Sequence, residues 1–513
     1  MKLVTLLHAL EDHKVNNQRL LSERLDTEIT HICSDSRKAH KDCIFVCVSG
    51  AQYDGHDFAM NAYEKGARII IAQKHIDGLP YGTVLITVKD SRKALARLMG
   101  EFYSHPDRDM HIVGITGTKG KTSVALLIKH VLDTLGLSSG YIGTNGIIFA
   151  DKNYGTHNTT PEAAVIYENL VKMRDMNIKY VIIEVSSQAL WQDRVYGIKF
   201  DTCIFTNISA DHIGGIEHPS FEHYMSCKAK LFTEYGAESI IYNADEPQFD
   251  DVFRSCKNAV LYPYSLRSDI GLYAENLTPF RSDGILGTEF DCVKSPASSG
   301  YPIGSVHVCV TTPGEFSVYN ALAVLAFCDS IGVSCERASK ALASARIRGR
   351  FETFRSISKP NVTFVIDYAH NQASLFSVLS TLKAYPHGRI ITVFGSVGGR
   401  TYGRRAELGK VAAELSDFSI LTADNPDYEP VSRITSDIKQ AFIECRKEDR
   451  CTEIYDRKEA IQAAFNMAED GDIVLLAGKG HEDYQLVAGE RLSFSEYEIL
   501  AELDREYSAV TTG

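Results

Sequence analysis

Residues 114–123 read Gly-Ile-Thr-Gly-Thr-Lys-Gly-Lys-Thr-Ser. The apolar run His111 to Gly114 predicts the end of a buried strand, and Ser123 to Leu135 runs at helical period. A strand, a glycine loop and a helix in succession present backbone N–H groups and a helix N-terminus to phosphate. In that setting Lys121 reaches the outer phosphates and the Thr122 hydroxyl sits on Mg²⁺. Five residues separate Gly114 from Gly120 and two separate Gly117 from Gly120, so the pattern is the shorter Gly-x-x-Gly-Lys-Thr form.

The chain has 513 residues, too many for one core, which suggests about three domains. Hydrophobic residues make up 44% and charged residues 23%, the balance of an ordinary globular protein. A net charge of −12 argues against general nucleic-acid binding. No apolar run approaches the ~20 residues of a membrane span, and Met1 to Leu10 has no signal-peptide layout. The twelve cysteines are scattered without a Cys-x-x-Cys pair, so they read as reduced thiols of a cytoplasmic protein. Cys43 and Cys47 fall on one strand face as core residues.

Three segments follow from the pattern: 1–106, 107–345 and 346–513. In the first, Ile44–Val48 and Ile69–Ala72 read as strands and Phe58–Lys65 as a helix. In the second, strands at Tyr180–Val185, Cys203–Thr206 and Ser239–Tyr242 alternate with helices, as in a doubly wound parallel sheet. The alternation restarts in the third with Val362–Ile366, Arg389–Phe394, Phe418–Thr422 and Asp472–Ala477.

Polar residues cluster where these strands end, the place where open α/β sheets bind ligands. Glu184 reads as a Mg²⁺-holding carboxylate or as a salt-bridged strand-end residue. Ser186 and Ser187 donate to a ligand or cap a helix, and His212 binds a second Mg²⁺, orients a phosphate or is structural. Lys228 shares an apolar helix face with Tyr224, Leu231 and Phe232; it points inward, at a cost unless paired or neutralised, or snorkels. The third segment carries Arg348–Glu352, Asp367–Asn371, Phe394–Arg400 with Arg404 and Arg405 behind, Asp424–Asp427 and Gly478–Glu482. Several polar loops at one sheet edge make a site.

Jointly these residues resemble the Mur ligase family, ATP-dependent amide ligases of peptidoglycan synthesis. The resemblance spans essentially the whole chain. It rests on Asp35-Ser36-Arg37, Asp54-Gly55-His56, Thr116 to Thr122, Asn158-Thr159-Thr160-Pro161, Glu184 to Ser187, Gln192 to Val195, Asp211-His212, Lys228, Gly349-Arg350, Asp367 to His370, Asp424-Asn425-Pro426 and Gly478 to Glu482. It implies an α/β fold of three domains: a central P-loop-type parallel-sheet domain, a small uridine-binding α/β domain before it and a Rossmann-like α/β domain after it. It implies ATP and Mg²⁺ as cofactors, and UDP-muramoyl-dipeptide and a free amino acid as substrates. It implies a cytoplasmic monomer without nucleic-acid or membrane partners. By position, Gly117, Thr118, Lys119, Gly120, Lys121, Thr122, Asn243, Asn320, Arg350 and Asp367 match ATP contacts. Ser36 lies in the uridine-binding segment, and Thr159, Thr160, Ser186, Gln192 and Arg194 match groups that hold the muramoyl-dipeptide. Thr122, Glu184 and His212 match magnesium ligands, and Lys228 matches a lysine carbamylated in this family. Catalysis falls to Lys121, Lys228, His212 and Glu184, and the incoming amino acid to Arg400, Asp424, Asn425, Asp427, Gly478 and Glu482.

Three positions depart from the pattern: Gln372 replaces a usual Pro, Gly399 a frequent Asp, and Asp427 the Arg of diaminopimelate-adding relatives. An anion at Asp427 favours a side-chain ammonium, hence L-lysine or L-ornithine, over meso-diaminopimelate. The alternatives are a folylpolyglutamate synthetase-like ligase, a P-loop NTPase that switches or binds partners, and a divergent family member acting on another cell-wall precursor.

Overall fold

The computed structural model describes residues 1–511 apart from 51–52, 157, 211–212, 215–216, 296–302 and 400–401. It divides into two compact units, Met1–Leu272 with Ala323–Val333, and Tyr273–Leu322 with Ser334–Gly513.

The first unit begins with a five-stranded sheet in the order His13–Val15, Val84–Val88, Ile69–Ala72, Cys43–Val46, His31–Cys33. The first pair is antiparallel and the rest are parallel. Ile69, Ile70 and Ile71 are all buried, because helices cover both faces of a parallel sheet. Cys43 and Cys47 pack in one apolar cluster, and the twelve cysteines are free thiols. The expected helix at 58–65 is a short 3₁₀ turn, Gly55–Phe58, running into Ala59–Glu64.

A second sheet of this unit has the order Val260–Ser265, Ser239–Asn243, Thr202–Phe205, His111–Thr116, Tyr180–Glu184, Ser139–Gly143, Gly146–Phe149, Lys152–Tyr154. All neighbours are parallel as far as Ser139–Gly143, and the last two strands add antiparallel hairpins. His111–Thr116 lies between Thr202–Phe205 and Tyr180–Glu184, so three neighbouring strands deliver Gly117, Thr206 and Glu184 to one sheet edge. The following helix, Lys121–Thr134, starts at the phosphate loop itself, two residues earlier than its apolar period suggests.

In the second unit, Leu272–Ser282 turns into Ile285–Lys294 through Asp283-Gly284, which then pairs antiparallel with Ile303–Val310. Both turn residues have positive φ, 51° and 72°, the geometry of a tight hairpin. The main sheet runs Glu352–Phe354, Thr363–Asp367, Ile473–Ala477, Ile390–Phe394, Phe418–Leu421, Cys451–Glu453. Its first pair is antiparallel and the others parallel. Along Ile473–Ala477, alternate residues enter two separate cores: Ile473, Leu475 and Ala477 face one, Val474 and Leu476 the other. That two-sided burial explains why these strands read as unbroken apolar runs. Among the described residues no helix is long and apolar enough to cross a membrane.

Candidate active site

The glycine loop is shaped by its own backbone and pinned by the next strand. Gly117 has φ 147°, and a Cβ there would collide with the Thr206 hydroxyl, so only glycine fits. Past the strand Thr202–Phe205, Thr206 Oγ1 donates to Lys119 O at 2.6 Å. The Asn207 side-chain amide brackets the same residue, accepting from Lys119 N at 2.9 Å and donating to Lys119 O at 3.0 Å. Thr118 N donates to Asn207 O at 2.8 Å. Thr206 and Asn207 are therefore loop supports, a role legible only once the two strands are known to be neighbours. Lys121 Nζ donates to Gly117 O and Thr118 O at 2.9 and 3.0 Å.

Glu184 ends its strand fully buried. Thr122 Oγ1 donates to its Oε2 at 2.8 Å, and Thr144 donates through its backbone N–H to Oε1 at 3.1 Å and through its hydroxyl to Oε2 at 3.3 Å. The Tyr141 hydroxyl also donates to Oε1. A buried carboxylate needs such donors. The Thr122 hydroxyl on Oε2 brings the two oxygen ligands expected for Mg²⁺ into contact at the loop, and a divalent cation would take over the role of that donated proton. Tyr141 and Thr144 belong to the hairpin that the sequence reading passed over; their Gly-Tyr-Ile-Gly-Thr-Asn run carried a turn signal.

Beside Glu184, Thr160 Oγ1 donates to Glu184 O at 2.7 Å and accepts from Ser186 N at 2.9 Å. Arg194 donates to Thr160 O at 2.9 Å and to Gln192 Oε1 at 2.7 Å. Thr159 Oγ1 lies 3.1 Å from Thr144 Oγ1. Thr159, Thr160, Ser186, Gln192 and Arg194 thus form one polar patch that adjoins the carboxylate. Lys228 is buried on the helix Phe221–Lys230; its Nζ donates to Gly117 O at 2.7 Å and lies 4.5 Å from the centre of the Tyr224 ring. Asn243, at the end of its strand, accepts from Asp245 N at 3.0 Å. His212 lies outside the described residues.

Ser36 opens a short turn capped by Asp35, which pairs with Arg37 at 2.9 Å. Nearby in sequence, Asp54 pairs with His56 at 2.5 Å and Lys74 at 2.9 Å, and the Lys74 ammonium, followed by His56, holds the Asp54 carboxyl well below its usual range.

The second unit has its own cluster. Asp367 is buried at its strand end; burial pushes its carboxyl upward, and its Oδ2 accepts from Phe351 N at 2.8 Å. The Arg350 guanidinium lies 5.2 Å from the centre of the Tyr368 ring, and Asn320 is buried on the helix Glu315–Ser330. Gly349 has φ 69°, and a Cβ there would strike the backbone of His481. That close approach locks the Gly-Arg segment onto the Gly-Lys-Gly-His-Glu segment.

Lys479, which the sequence reading did not assign, organises the far side. Its fully buried Nζ donates to Glu482 Oε2 at 2.7 Å and Asn425 Oδ1 at 2.9 Å, and lies 4.0 Å from Asp424 Oδ1. Burial raises the Asp424 carboxyl, and a Cβ on Gly478 would stand 3.3 Å from Asp424 Oδ2. Asp424, Asn425, Gly478 and Glu482 therefore share one polar pocket. Asp427, at φ 52°, accepts from Gly489 N at 2.8 Å, which ties its carboxylate to the Ala488-Gly489 turn of a hairpin. Arg405 is consumed by structure: its buried guanidinium pairs with Glu429 and Asp437, both at 2.7 Å. Arg400 lies outside the described residues.

Three family descriptions match the chain: "Mur ligase family, catalytic domain" over 28–103, "Mur ligase middle domain" over 115–328 and "Mur ligase, glutamate ligase domain" over 349–480. The UDP-N-acetylmuramoyl-L-alanyl-D-glutamate–2,6-diaminopimelate ligase 1 of Clostridium acetobutylicum is 37% identical over 95% of this chain and 97% of its own length. The chain belongs to the Mur ligase family. It is an ATP-dependent, amide-bond-forming ligase with the family's three-domain α/β architecture. A solved structure of a UDP-N-acetylmuramoyl-L-alanyl-D-glutamate–2,6-diaminopimelate ligase superposes with TM-score 0.72 at 26% identity, covering 100% of this chain and 99% of that one. The MurF ligase of Thermotoga maritima in complex with ADP shares the fold, with TM-score 0.56 at 17% identity over 96% of this chain and 100% of that one.

Proposed function

We propose that this Mur ligase adds the third amino acid to UDP-N-acetylmuramoyl-L-alanyl-D-glutamate, and that the amino acid is meso-diaminopimelate. The observation that carries the reading is the buried Thr122–Glu184 pair at the phosphate loop, adjoined by the Thr160–Ser186–Arg194 patch. One group binds a nucleotide's phosphates, and the other accommodates an anionic acyl substrate alongside.

A carboxylate resists attack by an amine at neutral pH, so ATP must first convert the D-glutamate γ-carboxylate to an acyl phosphate. Lys121 and Arg350 offset the repulsion between that carboxylate and the triphosphate. Thr122, Glu184 and His212 would hold Mg²⁺, which would supply further charge neutralisation there. Lys228 is buried beside the loop, and its neutral amine would add CO₂ and release a proton to become a carbamate, whose remaining N–H can keep the bond to Gly117 O. Asp424, Asn425, Gly478 and Glu482 receive the amino acid, whose α-amine attacks the acyl phosphate and expels phosphate. The free cysteines suit a reducing, cytoplasmic setting.

The choice of amino acid turns on Asp427. Its hydrogen bond to Gly489 N spends one carboxylate oxygen on the hairpin turn, which weakens the charge argument for lysine. The named substrate of the 37% identical relative supports meso-diaminopimelate. The anionic character of Asp427, with Arg405 committed elsewhere, favours L-lysine or L-ornithine as the second reading. The test is kcat/KM for the three amino acids, measured as ADP release with the UDP-muramoyl-dipeptide. Preference for diaminopimelate is expected; preference for lysine or ornithine that Asp427→Arg reverses would establish the second reading, and ADP release independent of any amino acid would end both.

A further inference from the structure

Beside the Thr160–Ser186 patch, but apart from the Thr122–Glu184 pair, three metal-ligating side chains converge. His218, His223 and Cys227 each offer a ligand atom, and these atoms lie within 4.8 Å of one another. His223 and Cys227 are four residues apart on the helix Phe221–Lys230, so they share one face. His218 comes from the segment before it, held against the helix where Ser220 Oγ accepts from His223 N at 3.2 Å. His218 Nε2 lies 2.8 Å from Ser187 Oγ, so Nδ1 is the ring atom turned toward the other two side chains. That Nδ1 is 2.9 Å from His223 Nδ1, and Cys227 Sγ is 3.8 Å from the same His223 nitrogen. Tetrahedral zinc with ordinary bond lengths spaces two nitrogens by roughly 3.3 Å and a nitrogen and a sulfur by roughly 3.6 Å. The observed separations straddle those values. His218 and Cys227 are buried while His223 is half-buried, which gives an ion a way in and a water a place to bind.

We propose that His218, His223 and Cys227 form a binding site for a zinc-class divalent ion, with water as the fourth ligand. Two imidazoles and a thiolate are too soft a set for Mg²⁺, which prefers oxygen, so the site does not compete with Thr122 and Glu184 for magnesium. On binding, the proton held between the two Nδ1 atoms moves through solvent to Nε2 of the ring that carried it, the Cys227 S–H bond breaks, an S–Zn bond forms and the thiol proton passes to solvent. Burial holds the Cys227 thiol above its ordinary range, so binding strengthens with rising pH. A bound ion ties His218, and through it Ser187, to the helix that carries Lys228 next to Cys227. It would thereby hold two parts of the active-site wall together.

Trp191, the single tryptophan of the chain, reports on this site: its ring lies 5.3 Å from that of His223 and 5.8 Å from that of His218. The full-length protein, stripped with a chelator and kept in excess Mg²⁺, is titrated with Zn²⁺ and separately with Co²⁺. One equivalent of Zn²⁺ is expected to change Trp191 fluorescence, and Co²⁺ to add a thiolate-to-cobalt charge-transfer band. Cys227→Ser removes that band and weakens Zn²⁺ binding at least about tenfold; His223→Gln weakens it similarly, and Cys335→Ser, in the other unit, changes neither. Circular dichroism checks that each variant folds, and His223→Gln carries the test should Cys227→Ser not. A Trp191 signal that ignores stoichiometric Zn²⁺, or a cobalt band and affinity indifferent to Cys227 and His223, would overturn the proposal.

Discussion

Lys479→Met keeps the aliphatic stem and deletes an ammonium on which the second unit's pocket is built. The ammonium is 2.7 Å from Glu482 Oε2 and 4.0 Å from Asp424 Oδ1. At an effective dielectric of ~20, the nearer pair attracts by about 6 kcal/mol before desolvation is subtracted. Desolvation is large here, because the Lys479 side chain is fully buried and that of Glu482 is 13% exposed. Removing one partner of a buried pair strands the other charge, and the measured cost is about 3–5 kcal/mol. Urea unfolding followed by circular dichroism should show a loss of that size. The same change frees Asn425 and Glu482, so the KM for the amino acid should rise at least about tenfold, a loss of 1.4 kcal/mol or more, while the KM for ATP moves less. A stability loss below about 1 kcal/mol, the scale of an exposed pair, together with an unchanged amino-acid KM, would refute the reasoning.

Glu184→Gln removes the charge beside Thr122 and turns an –NH₂ group toward donors such as Tyr141 or Thr144. Steady-state kinetics should show kcat/KM reduced at least about 100-fold, in a protein whose circular dichroism is unchanged. The Arg405 guanidinium holds the Glu429 carboxyl down at about 2. Since the ordinary glutamate value is near ~4.3, the stabilisation from this pair is complete above that pH and is lost as pH falls toward 2. Arg405→Met should flatten this part of the acid-unfolding profile; a profile identical to that of the unmodified protein would count against the assignment.

Legibility followed the physics of each element. Parallel strands buried on both faces, such as Ile473–Ala477, show up as apolar runs, and the polar groups at their ends mark the sheet edge proposed to bind ligands. The hairpin Ser139–Gly143 and Gly146–Phe149 is glycine-rich and short, so its period is weak, and with it went Tyr141 and Thr144. The Asp283-Gly284 turn was a readable hairpin signal, masked by the polar strand Leu272–Ser282 before it. Thr206 and Asn207 act through pairing across strands on the backbone of Lys119, 87 and 88 residues away, and Lys479 sits in a polar run that was legible, but its bond to Asn425, 54 residues away, was not. Asp427 shows the opposite failure. Its charge was legible, but its tie to Gly489 depends on a hairpin 62 residues downstream.

The central claim is amide formation through an acyl phosphate on the D-glutamate side chain. It is tested most directly by supplying UDP-N-acetylmuramoyl-L-alanyl-D-glutamate labelled with oxygen-18 in the γ-carboxylate and analysing both products by mass spectrometry. The account predicts that the released phosphate carries one labelled oxygen and that the muramoyl-tripeptide retains the other. Unlabelled phosphate, or labelled phosphate without tripeptide, would contradict it.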